Sequence, residues 1–195
     1  MIRDFKYAFL VIAALVLFPA AALADAPQQT LQGSVDNAIT LLRDPSYKDA
    51  ATKPAMREKL IATIQNVFDA KELSRRALAT NWDKFSADQQ ERFSKAFLTL
   101  LQNTYLDRIE AYTDEKVNYL SEKLLAADKA EVATTVTSKG KDIPITYRML
   151  KTDSWKVYDV IIEGVSLVQN YRNQFAQILM KETPDALIDK LTKKS

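Results

Sequence analysis

The chain contains no cysteine and no histidine, and only three glycines among 195 residues. The first two absences exclude disulfides, thiol nucleophiles, Cys or His metal sites and every Ser-His or Cys-His pairing. The glycines, Gly33, Gly140 and Gly164, stand too far apart to build a phosphate-cradling or dinucleotide-binding loop. An excess of one charge is also lacking: 27 basic against 25 acidic residues leave a formal charge of +2, and nothing in that balance calls for a nucleic acid. The basic spots, Arg75-Arg76 and Lys190 to Lys194, are short, far apart and read as solvated helix faces and a chain terminus. Most common catalytic kits, and any Cys or His metal centre, cannot be assembled from this alphabet.

Long apolar runs are confined to the start. Arg3 and Lys6 precede the run Ala8 to Phe18, and Ala22-Leu23-Ala24 supplies a small-x-small cleavage pattern before Asp25. The run is shorter than the ~20 residues a spanning helix needs. Residues 1–24 are therefore expected to be a cleaved export signal. With no Cys at the cleavage site for a lipid anchor, residues 25–195 are expected to form one exported, untethered domain without stable membrane insertion.

The mature chain begins helical. Leu31, Val35, Ala38, Ile39 and Leu42 share one face before Asp44-Pro45 ends the helix. A second helix starts near Pro54 and buries Met56, Leu60, Ile64 and Val67. Asp69 with Glu72, and Ser86 with Gln89, have the spacing of capping boxes. The first launches a helix through Leu73, Ala77 and Leu78. The second launches the longest helix, about Ala87 to Ala111, with Phe93, Phe97, Leu101, Tyr105 and Ile109 on its apolar side.

Around Tyr112 the period changes to alternation. Val117, Tyr119 and Ser121 predict a first strand, Ala130 to Val136 a second, and Ile143, Ile145, Tyr147 and Met149 one face of a third. Trp155 to Ile162, apolar toward both sides, predicts a central strand covered on both faces. Gly164 then breaks the pattern, and Val165, Val168, Tyr171, Phe175 and Ile178 recur at helical spacing. Thr183-Pro184 caps a last helix through Leu187, Ile188 and Leu191. Helices, four antiparallel strands joined by short turns, then helices make an α+β pattern.

Asp159 is the one acidic residue inside the predicted central strand. It reads either as a general base, with Tyr147 as its partner in an enzyme, or as a structural carboxylate paired with Arg148. Surplus apolar surface over a small sheet predicts a dimer, a cavity for an apolar ligand, or the exposed surface of a holdase for unfolded chains.

Three stretches narrow these choices. FDAKELSRRALATNW (Phe68 to Trp82), NTYLDRIEAY (Asn103 to Tyr112) and WKVYDVIIEGVSLVQNY (Trp155 to Tyr171), with YRML between the last two, resemble the toluene-tolerance or MlaC family, and the resemblance runs from about Val35 to Leu191. It implies a curved sheet related to the NTF2-like cone, packed with N-terminal and C-terminal helices. It also implies a non-catalytic periplasmic carrier of Gram-negative bacteria, with bound phospholipid as cargo and no cofactor. The implied partners are an outer-membrane lipoprotein complex and an inner-membrane ABC transporter with an MCE subunit, between which lipid is exchanged to maintain outer-membrane asymmetry. The resemblance implies a pocket without assigning its residues. The apolar pattern nominates Phe97, Leu101 and Tyr105 on the long helix, Tyr147 on the third strand, Val160 and Ile162 on the fourth, and Val165, Val168 and Phe175 after it. The Tyr158, Val160, Ile162 face is preferred because the other carries Asp159.

Overall fold

The computed structural model describes residues 26–111, 115–138 and 140–193. The expected leader and Tyr112 lie outside these residues. Helices α1 (Pro27–Arg43), α2 (Lys53–Val67), α3 (Ala70–Leu78) and α4 (Ala87–Glu110) precede strands β1 (Lys116–Ala126), β2 (Lys129–Ser138), β3 (Lys141–Lys151), β4 (Trp155–Ile162) and β5 (Val165–Ser166). Helices α5 (Leu167–Leu179) and α6 (Pro184–Lys193) follow. The α+β class is as expected, and the sheet runs β1-β2-β3-β4-β5 with every neighbour antiparallel.

The sheet has five strands rather than four. Glu163 and Gly164 both take left-handed φ, +49° and +84°, and fold the chain back so that Val165 and Ser166 pair with Ile162 and Ile161. Ser166 then caps α5, its Oγ accepting from the Gln169 N–H at 3.0 Å. The helix therefore starts at Leu167, and Val165, expected on its apolar face, is an exposed strand residue. A two-residue strand is too short to leave a periodicity.

Nor is β4 central. It lies next to the short β5, and the rest of that edge is covered by the link between α2 and α3. Phe68 bridges Val157, and the Asp69 N–H donates to the Val157 carbonyl at 2.9 Å. That bond explains a second departure. Asp69 does cap α3, accepting from the Glu72 N–H at 2.8 Å, but its own N–H is taken by the sheet. Glu72 turns instead to Arg75 and Arg76, both at 2.7 Å. At Ser86 and Gln89, where no strand competes, the full capping box forms and starts α4.

Curvature comes from extra residues. The pairing register slips at Leu120 and Leu125 in β1 and at Tyr158 in β4, and each bulge bends its strand. Three apolar clusters fill the interior. A helical cluster centres on Phe93, Phe97 and Phe175, between α3, α4, α5 and α6. A sheet-face cluster joins Leu31 to Val132, Met149, Val157 and Val160. A smaller one holds Tyr47, Met56, Leu60 and Leu106 under α1 and α2. Phe68 packs against both of the first two.

Candidate functional site

The bulge at Tyr158 decides what each face of the sheet presents. Arg148 pairs with Asp159, while the next residue, Met149, pairs with Val157, so Tyr158 is the extra residue. Strict alternation would put Trp155, Val157 and Asp159 on one face. The bulge flips the phase, so Trp155 and Val157 share the sheet-face cluster with Val160 and Ile162. Tyr158 and Asp159 turn to the other side. The expected face of Tyr158, Val160 and Ile162 thus keeps its last two members and loses Tyr158, whose ring lies 3.9 Å beneath the Arg76 guanidinium.

Two rows of cross-strand partners build the apolar face. One runs Val132, Tyr147, Val160, and the other Tyr119, Thr134, Ile145, Ile162. Leu31 and Val35 of α1, Phe68 and Leu167 pack over them. Within this cover, burial pushes the Tyr147 phenol up to about 12. Burial raises the Tyr119 phenol too, helped by Tyr147 and by Asp36 of α1. Both phenols stay neutral at physiological pH. The Thr134 hydroxyl donates to the Ile145 carbonyl at 3.1 Å.

Eight of the nine nominated residues divide between two places. Tyr147, Val160 and Ile162 share the sheet face. Phe97, Leu101, Tyr105, Val168 and Phe175 belong to the helical cluster, where Phe97 and Phe175 meet edge-on with centroids 5.1 Å apart. Val165 stands at the rim, opposite Ile162 across the β4–β5 pair. Sequence reasoning left out Val132, Ile145, Leu31 and Tyr119. The alternation of β2 and β3 carried the signal for the first two, since Tyr147 shares their face.

The reverse face is polar. Arg76, Arg148, Arg172, Tyr158, Asp159 and Gln169 line a groove of about 410 Å³. Asp159 is only 3% exposed, and both of its oxygens are engaged. Oδ2 accepts from Ser166 Oγ at 2.7 Å and lies 3.5 Å from Arg148, while Oδ1 accepts from the Val168 N–H at 3.1 Å. Arg148 is shared with Glu131 at 2.9 Å, giving a charge row across β2, β3 and β4. Asp159 thereby ties the bulged strand to the start of α5. Tyr147, its supposed catalytic partner, lies on the opposite face.

Among the described residues, no group of three acidic side chains could hold a metal, and no helix is long and apolar enough to cross a membrane.

The chain is 25% identical over 161 residues to the intermembrane phospholipid transport system binding protein MlaC of Haemophilus influenzae, covering 80% of this chain and 72% of that protein. It is 24% identical over 165 residues to the toluene tolerance protein ttg2D of Pseudomonas putida, covering 83% and 77%. Among solved structures, the phospholipid-binding protein of Ralstonia solanacearum in complex with a phospholipid matches with a TM-score of 0.76 at 27% identity, over 87% of this chain and 96% of that one. Residues 32–193 match the family described as MlaC protein, spanning every strand and nearly every helix described above, and the chain belongs to that family.

Proposed function

We propose that this chain is a periplasmic phospholipid carrier that holds its cargo against the apolar face of the sheet and shuttles it between outer-membrane and inner-membrane complexes. The observation that carries the reading is the match, over nearly the whole chain, to a protein solved with a phospholipid bound. The export signal read in residues 1–24 supports the location.

Transfer energetics explain why such a carrier is needed. Each buried CH₂ is worth ~0.8 kcal/mol, so two acyl chains of ordinary length hold a lipid in its bilayer by more than roughly 20 kcal/mol gross. Passage through water requires an apolar cover for both chains while the headgroup stays wet. Val160 and Ile162, with Val132 and Ile145, form the floor of that cover. The chains part the sheet-face and helical clusters along the seam at Phe68, which touches both. Phe97, Leu101, Tyr105, Val168 and Phe175 then form the opposite wall, and Val165 the rim. Directionality comes from partners with different affinities for loaded and empty carrier, one an outer-membrane lipoprotein complex and the other an MCE-domain ABC transporter. The chain itself is not an enzyme. Asp159 is occupied in joining β4 to α5, which favours its structural role over a catalytic one.

The test is transfer between separated membranes. Donor vesicles carrying a labelled diacyl phospholipid are dialysed against acceptor vesicles with and without the purified mature protein. Protein-dependent transfer of label is expected. Transfer at the protein-free rate would contradict the reading.

A further inference from the structure

The Tyr119 hydroxyl is enclosed, yet it has no hydrogen-bond partner among the described residues. A buried hydroxyl without a partner is costly, and such groups are uncommon enough that each asks for an explanation. Tyr119 shares the apolar sheet face with Tyr147. It also stands at a boundary of polarity. Its strand row continues into Thr134, Ile145 and Ile162, while Asp36 of α1 acts on its phenol from the solvent side. The N-terminal end of α1 is tied to the same strand, the Gln28 N–H donating to Glu122 at 2.7 Å.

A diacyl lipid has a matching profile, with apolar chains, then two ester carbonyls, then a hydrated headgroup. We infer that the Tyr119 hydroxyl donates a hydrogen bond to an ester carbonyl of the bound lipid and so sets the depth at which the chains enter. This rests on the carrier reading and deepens it. An ester carbonyl accepts strongly, whereas an ether-linked lipid of the same chains and headgroup offers no carbonyl and leaves the phenol unpaired. The consequence is selection for the linkage, independent of the headgroup.

The experiment offers delipidated mature protein a one-to-one mixture of diacyl phosphatidylethanolamine and its dialkyl-ether analogue in vesicles, and counts each bound species by native mass spectrometry. Wild type is expected to prefer the ester lipid roughly three- to tenfold, the range of one hydrogen bond. Tyr119→Phe is expected to take up lipid without that preference. Its melting temperature should not fall, because the substitution removes an unpaired buried hydroxyl. Tyr47→Phe, which removes a hydroxyl that donates to Glu110 at 2.7 Å in the cluster under α1 and α2, away from the sheet face, should keep the preference. Equal uptake of the two lipids by wild type, or an undiminished preference in Tyr119→Phe, would overturn the inference and leave the carrier reading standing. Uptake of neither lipid would overturn both.

Discussion

The helical cluster and the sheet-face cluster are both apolar, but their side chains do different things. In the first, aromatic rings interlock: Phe93 meets Phe85, Phe97 and Phe175 with centroids 5.4–5.7 Å apart, two of the three contacts edge-on. Such geometry gives each ring one place to sit and adds to its area burial. The second is mainly aliphatic, with Val132, Val157 and Val160 at its centre, the half-buried Ile145, Ile162 and Leu167 around them, and Trp155, Phe68, Tyr119 and Tyr147 as its aromatic members. An aliphatic surface has no directional demand, so acyl chains can replace its protein cover at small cost. The difference teaches that burial alone does not mark a cargo site. The interlocked half holds the fold and backs the proposed cavity as a rigid wall, while the mainly aliphatic half is suited to exchange its cover.

The largest expected effect tests the interlocked half. Phe93 is fully buried, and Phe93→Ala should cost about 3–5 kcal/mol in denaturant unfolding. A loss below about 1 kcal/mol would break the comparison. Next comes Asp159→Asn, on the polar reverse face. Removing the charge that faces Arg148 and the hydroxyl of Ser166 should cost about 1–3 kcal/mol of stability while lipid uptake stays unchanged. Lost uptake with intact stability would move the cargo site to the wrong face. Ile162→Glu sharpens the comparison from the other direction. Ile162 is only half-buried, so the carboxylate can reach water and the fold should lose about 1 kcal/mol or less. A charge beside the acyl chains should nonetheless lower lipid occupancy at least about tenfold, equivalent to ~1.4 kcal/mol.

The smallest effect is a pH dependence confined to the helical half. Hydrogen bonding by Arg75, then the charge of Arg76, holds the Glu72 carboxyl below the ordinary glutamate range against its burial. A carboxyl with a depressed folded pKa contributes stability that is present above its unfolded pKa of about 4.3 and is lost as pH falls through the folded value. Melting curves should therefore decline below about pH 4.5, and less steeply in Glu72→Gln. The phenols of the sheet face titrate far above this window, so lipid occupancy at fixed temperature should stay level while the protein remains folded. Occupancy that collapses near neutral pH would show that the sheet face is not governed by these neutral groups.

Much of this division was legible locally. The caps at Asp69, Ser86 and Thr183 and the helical periods all sit within a few residues of the features they control. So does the shared face of Tyr147 and Ile145. Three things were not local. The bulge at Tyr158 is set by pairing Arg148 with Asp159 across two strands, and an unbroken alternation conceals it. The strand β5 exists because Glu163 and Gly164 turn back onto β4, two residues at a time. The enclosure of Tyr119 depends on α1 lying across the sheet from almost ninety residues away. The nominated lining was drawn from apolar pattern alone, which does not say that Phe97 sits among interlocked rings and Val160 on the sheet face.

The central claim is that a phospholipid occupies this fold, and native mass spectrometry of the mature protein purified from the periplasm, followed by lipid extraction, tests it most directly. The account predicts a stoichiometric mass excess that resolves into diacyl phospholipid. A bare protein mass, with no uptake from added liposomes, would contradict it.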